Sequence, residues 1–351
     1  MQTQIEAAWW RVGGMLALLM FLANCAAQPA TGNPTALALP AGYQATTIIT
    51  GLQGPTQIIA GPGGTLWVAQ LAGAENASSG QIIAVAPSGA QRVLLDNLFK
   101  PTGIALLANA LWIASGRDLL RAPLASGGVG APETIFKDLP YNGRSNGTLT
   151  VTPDQKLLYE TSGRRTGNTN EQGSATLWQL DPANPREPQV LAIGLKGAYA
   201  HTYDRDGRLW ASEIGDDPVD DGTPPDEINL IADGGDYGFP QCFGNREPAR
   251  NYAGTVARCA TTRAPVALFA PHATPTSVAA SPWEPNMLFV ALWARGEVVQ
   301  VRLAANHSEA PAKIEPFLAG MANPQHLLVQ ADGSLLLSEF GTGTIYRITK
   351  Q

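Results

Sequence analysis

Between Glu213 and Glu227 the sequence places seven carboxylates: Glu213, Asp216, Asp217, Asp220, Asp221, Asp226 and Glu227, with no lysine or arginine among them. So much negative charge in one short run repels itself unless water or a cation neutralises it. Hard carboxylate and carbonyl oxygens suit Ca²⁺. The same run, with its Asp and Pro residues, also fits a solvated loop of turns, and composition leaves both readings open. Downstream, Cys242 and Cys259 lack the Cys-x-x-Cys spacing of a metal site. In an oxidising compartment they would pair, closing a loop of about sixteen residues and contributing roughly 3 kcal/mol in the chain-entropy picture. Only four histidines, His201, His272, His307 and His326, are on hand to accept a proton near neutral pH.

The start of the chain reads as an address. Arg11 precedes the apolar stretch Met15–Leu22, followed by Ala23-Asn24-Cys25-Ala26-Ala27. That is an export signal, too short for a stable spanning helix. Leu22-Ala-Asn-Cys25 is similar to a bacterial lipobox, in which Cys25 is lipidated and becomes the mature N-terminus; ordinary cleavage after Ala27 is the alternative. Residues 1–27 are therefore expected to be a signal peptide and 28–40, rich in Pro, Ala, Thr and Gly, a flexible tether. The remaining cysteines then lie in a compartment that permits their bridge.

The elements that must carry the acidic run are repeated ones. A lead-in, often Pro-Thr, a short apolar run, a turn and an apolar strand recur at Pro55, Pro101, Asn146, Ala200, Pro275 and Pro324. The equivalent leucines are Leu66, Leu111, Leu157, Leu209, Leu288 and Leu335, at steps of 45, 46, 52, 79 and 47 residues. Periods of this size with alternating strands, such as Val298–Leu303 and Thr344–Ile348, predict propeller blades. The expected fold is all-β, a six-bladed β-propeller of four-stranded antiparallel blades over 41–351. The 79-residue step marks an insertion around 213–262, on a face where propellers commonly work. Charge restricts the partners. The 351 residues carry 23 Lys and Arg against 29 Asp and Glu, so no basic face for nucleic acid is expected. No apolar run beyond the N-terminus is long enough to span a bilayer, which leaves a lipid on Cys25 as the only expected membrane contact.

Ser212-Glu213-x-Gly215, Asp226-Glu-Ile-Asn-Leu-Ile231, Gly234-Gly235 and Tyr237-Gly-Phe-Pro240 resemble the soluble PQQ-dependent sugar dehydrogenases, the glucose/sorbosone dehydrogenase family. Pro153–Tyr159 is similar to a second stretch of that family, and the resemblance spans about 41–349. It implies PQQ on the top face of the propeller, with Ca²⁺ bridging it to the backbone carbonyls of Gly215 and Asp216. The carboxylates of Asp216 and Asp217 are further candidate ligands. Ca²⁺ would polarise the quinone while a histidine takes the proton from the sugar hydroxyl.

Several positions depart from that pattern. The general-base position, five residues before Leu149, is Arg144, whose guanidinium stays protonated. Lys196-Gly197 stands where the family has Arg-Asn. Trp293 or Ala294 takes the place of a cofactor-binding lysine, with Arg295 nearby to compensate. Asn323 and Gln325 replace two arginines. His272, in a Pro-His stretch similar to the sorbosone-type branch, is the best replacement base. His201 reads as a satisfied core histidine, His307 as a surface residue, and His326 as a neighbour of the lost arginines. Arg164, Arg165, Asn168, Asn170 and Glu171 either line the same face or decorate a polar loop.

The resemblance therefore implies an exported sugar or aldehyde dehydrogenase, periplasmic or anchored at the outer membrane, passing electrons to an external acceptor. The departures keep open a non-catalytic propeller, a binding lipoprotein of the cell envelope. A lactonase-like propeller, with carboxylates and amides converging on one central metal, is a third reading.

Overall fold

The computed structural model describes residues 37–126, 128–219, 222–304 and 312–351. The expected export signal, Cys25, Asp220, Asp221 and His307 lie outside the described residues.

The repeating leucines mark a real period. Each opens, or nearly opens, the second strand of a blade: Leu66–Gln70, Ala110–Ser115, Leu157–Thr161, Leu209–Glu213, Met287–Leu292 and Leu335–Glu339. All six leucines are buried. The first strands of the blades, Pro55–Ala60, Pro101–Leu107, Thr150–Val151, Ala200–Tyr203, Pro275–Ala280 and Pro324–Val329, touch one another in succession, and the last meets the first. The result is the expected six-bladed all-β propeller, numbered here as blades 1 to 6. The sixth blade is completed from the other end of the chain, because Tyr43–Ile49 pairs antiparallel with Thr344–Lys350. Leu37 and Leu39, at the end of the stretch read as a tether, pack against the cluster built around Phe289, Phe317 and Tyr346.

The Pro-Thr lead-in has a specific task. Proline occupies the point where an inner strand begins, and the threonine after it donates its hydroxyl to the next blade. Thr56 Oγ1 reaches Pro101 O at 2.7 Å, Thr102 Oγ1 reaches Asn146 O at 2.9 Å, and Thr276 Oγ1 reaches Pro324 O at 3.3 Å. A β-bulge follows in blades 1, 2, 5 and 6. Apolar side chains from neighbouring blades fill the space between sheets, as Trp112, Leu157 and Leu180 do between blades 2 and 3.

The extra residues of blade 4 fall in two places. Asp226–Ile231 is the blade's third strand and Ala267–Phe269 its fourth, so one excursion covers 214–225 and a longer one 232–266. Within the longer one, Gly235–Asp236 adds a parallel strand to blade 3 beside Gln189–Ile193. Cys242 and Cys259 are bridged across a Cα separation of 5.6 Å. No helix among the described residues is long and apolar enough to cross a membrane.

Candidate functional site

Strand directions alternate within each blade, so two sets of loops share one rim of the ring: the lead-ins to the inner strands and the turns between second and third strands. Most of the candidate site residues lie on one of these. Arg144, Lys196, His272, Asn323 and Gln325 are in or beside lead-ins; Gly215, Asp216, Asp217 and Arg295 are in second-to-third-strand turns.

The lead-ins are held by a repeated lock. In four blades a Gln or Glu at the end of the second strand, or one residue before it, accepts a lead-in N–H through its side-chain oxygen. Gln70 accepts from Gln53 at 2.9 Å, Glu160 from Gly147 at 2.9 Å, Glu213 from Lys196 at 2.6 Å and Glu339 from Ala322 at 2.6 Å. Much of the acidic run is consumed in this way. Glu213 also accepts from Asn229 Nδ2 at 2.7 Å, and Glu227 accepts from Gly244 N at 2.7 Å and from the same amide at 3.3 Å. Burial pushes the Glu227 carboxyl up to about 8 and, with the charge of Glu227 beside it, holds Glu213 well above its ordinary value. The solvated-loop expectation therefore fails for Glu213, Asp226 and Glu227, which are buried structural acceptors.

Asp226 joins two loops. Its Oδ1 accepts from Gly215 N and its Oδ2 from Thr274 N, both at 2.7 Å. The turn at Gly215 and the lead-in carrying His272 are thus fixed side by side, and His272 itself is exposed. Only glycine fits at 215, because a Cβ there would come within 2.5 Å of Pro225 O.

Asp216 is buried and its carboxylate is paired, Oδ2 with Arg165 Nη1 and Oδ1 with Lys196 Nζ at 3.8 Å. Asp217 is exposed, and its N–H donates to Asp216 Oδ1 at 2.9 Å. The Arg165 guanidinium stands 4.1 Å over the Tyr252 ring and 5.7 Å over Phe239, and Lys196 Nζ lies 6.0 Å from Phe239. The Tyr237-Gly-Phe-Pro240 stretch is anchored beneath them: Tyr237 Oη donates to Leu230 O at 2.7 Å and Asn170 Nδ2 donates to Phe239 O at 3.0 Å. Burial lowers the Lys196 ammonium, an effect opposed by Asp217 and Glu160.

The other candidates are dispersed. Arg144 is exposed and forms no ion pair among the described residues. Arg295 is exposed and pairs with Glu297 at 3.2 Å. Asn323 Nδ2 donates to Trp293 O at 3.1 Å, a bracing role between lead-in and turn. Gln325 is buried, and its Nε2 donates to Tyr199 Oη at 3.1 Å toward the ring axis. Sequence reasoning singled out neither Tyr199 nor Tyr252, and it left Arg165 undecided. The Arg165–Asp216 pair joins residues 51 apart on different blades. Among the described residues no group of three or more His, Cys, Asp and Glu is placed to hold a metal.

The solved structures most like this chain include a family AA12 carbohydrate-active enzyme of Trichoderma reesei. It is 17% identical with a TM-score of 0.73, and the match covers 92% of this chain and 100% of that one. The holo form of the pyranose dehydrogenase PQQ domain of Coprinopsis cinerea is 17% identical with a TM-score of 0.73, covering 91% and 98%. The PQQ-bound aldose sugar dehydrogenase of Streptomyces coelicolor is 21% identical with a TM-score of 0.68, covering 90% and 100%. No curated protein sequence matches the chain. These likenesses establish a PQQ-dehydrogenase-like fold, and the glucose/sorbosone dehydrogenase family model matches residues 64–347; the chain belongs to that family.

Proposed function

We propose that the protein is an exported, PQQ- and Ca²⁺-dependent oxidoreductase of sugars or aldehydes in which His272 accepts the substrate proton. One observation carries the reading: Asp226 ties the Gly215 turn and the His272 lead-in together through two 2.7 Å bonds. A histidine open to solvent therefore stands beside the backbone that would carry the metal.

The rim fits a polycarboxylate cofactor. Two cations, Arg165 and Lys196, meet at one carboxylate beside an aromatic floor. The Lys196 side chain is only 16% exposed, and a buried ammonium is favoured by a second anion. Calcium would rest on the carbonyls of Gly215 and Asp216, since the Asp216 carboxylate already serves the two cations. When bound, PQQ supplies a two-electron acceptor and Ca²⁺ a Lewis acid at its carbonyl. The protein's part is then to orient and to move a proton. Neutral imidazole at position 272 can take it, whereas the Arg144 guanidinium cannot and instead offers positive charge to a substrate or cofactor oxygen. Arg295, Asn323 and Gln325 would bound the rim opposite.

The test is titration of the purified protein with PQQ and Ca²⁺. A shift in the absorption of PQQ and dye reduction with aldoses are expected. His272→Ala should cut turnover roughly 100-fold or more with PQQ binding retained. If Arg144→His raises turnover while His272→Ala leaves it unchanged, His272 is not the base. Failure to bind PQQ at micromolar concentrations favours the second reading, a non-catalytic binding lipoprotein of the envelope lipidated at Cys25. The mutual neutralisation of Arg165 and Lys196 by Asp216 is the observation on that side.

A further inference from the structure

Arg165 and Lys196 are held in place by parts of the rim other than Asp216. Arg165 opens a short hairpin in which it pairs with Asn170, and Asn170 Nδ2 donates to Phe239 O at 3.0 Å. The Arg165 guanidinium stands over the rings of Tyr252 and Phe239, and the excursion carrying both rings is closed by the Cys242–Cys259 bridge. The Lys196 backbone is fixed at both ends: its N–H donates to Glu213, and its carbonyl accepts from Gly163 N at 2.7 Å. Its stem is packed as well. A Cβ at position 163 would come within 2.9 Å of Lys196 Cδ and 2.7 Å of Phe239 Cε1.

Asp216 is anchored far less. Its carboxylate touches the two cations and the N–H of its own neighbour, Asp217, at 2.9 Å. It also serves the cations unequally. Arg165 Nη1 is in direct contact with Oδ2, but Lys196 Nζ lies 3.8 Å from Oδ1, beyond hydrogen-bond length. Among the described residues that carboxylate is the only ion-pair partner of Lys196. An ammonium has three donors to place, and in a mostly buried position poor pairing is costly. One short carboxylate cannot seat both cations, whereas a ligand with two or more carboxylates can.

We propose that the Asp216 carboxylate is a displaceable placeholder in an anion site. It occupies Arg165 and Lys196 in the free protein and yields them to a ligand bearing two or more carboxylates. The proposal rests on the reading of these cations as the cofactor's clamp and adds what keeps the empty clamp closed. Being tethered beside the cations, Asp216 competes at a high effective concentration, so a single-carboxylate solute is excluded while a polycarboxylate prevails. Ligand affinity then reflects the fraction of molecules in which Asp216 has let go.

The test is Ca²⁺-free titration of the purified protein with PQQ, followed by absorbance, and with citrate, followed by calorimetry. Asp216→Asn keeps an acceptor for the Asp217 N–H and should bind both about tenfold more tightly. Asp217→Asn removes the same charge one residue away and should give a smaller gain, and adding Lys196→Gln to Asp216→Asn should abolish the gain. Thermal melts identify a variant that fails to fold, and Asp216→Ala is the second variant. In the wild-type protein, saturating citrate should quicken exchange of the Asp217 amide as it loses its acceptor. Unchanged or weaker citrate binding in a folded Asp216 variant overturns the proposal, as does equal tightening by Asp217→Asn or slowed exchange at Asp217. Absence of citrate and PQQ binding in every form at millimolar concentrations overturns it too. Tighter citrate binding without any PQQ binding upholds the placeholder and overturns the cofactor reading.

Discussion

Blades 1, 2 and 5 repeat one solution at the axis, whereas blades 3, 4 and 6 each replace part of it. In the first three, Pro-Thr begins the inner strand and the threonine hooks the following blade. In blade 3 the lead-in is Asn146-Gly147-Thr148, and the hook becomes a backbone bond, Thr148 N to Tyr199 O at 2.6 Å. Blade 4 puts Tyr199 at the hooking position, and blade 6 puts Gln325 there, and the two side chains bond to each other instead of to a neighbouring carbonyl. Lys196, the Gly215 turn, His201 and His326 belong to blades 4 and 6, and Arg165 to blade 3. Where the repeat is kept, the residues hold the ring; where it is broken, side chains are released toward the rim and the axis.

The sharpest way to break this contrast is Gly147→Ala. A Cβ there would meet Tyr199 O at 2.1 Å, so a loss of about 3 kcal/mol or failure to fold is expected. Denaturant unfolding measures it, and a near-neutral result would mean that blades 3 and 4 are not in such close backbone contact. Asp226→Asn comes next. Removing the charge from a carboxylate that accepts two backbone N–H groups should cost about 2 kcal/mol and loosen the 214–225 turn, read as faster amide exchange at Gly215 and Thr274. Thr56→Val tests the regular half and should cost about 1 kcal/mol, with exchange quickened between blades 1 and 2 and unchanged at the rim of blade 4.

A further effect is one of pH. Burial raises Glu160 from 4.5 to about 7. A carboxyl whose folded value is raised favours the folded state fully below its unfolded value. That contribution is lost as pH rises through the window to about 7. Glu160→Gln should therefore flatten the fall in melting temperature across that window. A fall just as steep in the variant would assign it to other carboxyls.

Much of the ring was legible because leucine spacing reports where second strands begin, and the one step stretched to 79 residues by the excursions of blade 4 still ends on the matching leucine of blade 5. The disulfide was legible because only two cysteines lie beyond residue 27. The roles of the carboxylates were not. Whether Glu213 or Glu227 faces water depends on backbone donors at Lys196 and Gly244, and nothing near either glutamate in the sequence announces those donors. His201 reads as a satisfied core residue because its neighbours are apolar, yet its Nε2 is enclosed without a hydrogen-bond partner. Arg165 escaped firm assignment because its partner lies on the next blade.

The pairing of Tyr43–Ile49 with Thr344–Lys350 has a consequence for biosynthesis. A ribosome must release nearly the whole polypeptide before the first strand finds its mate, so until then Thr344–Lys350 or its partner presents bare amides to any passing chain. Folding of this ring should consequently be slow and concentration-sensitive, and trimming either end past these strands should yield aggregates sooner than a smaller stable ring.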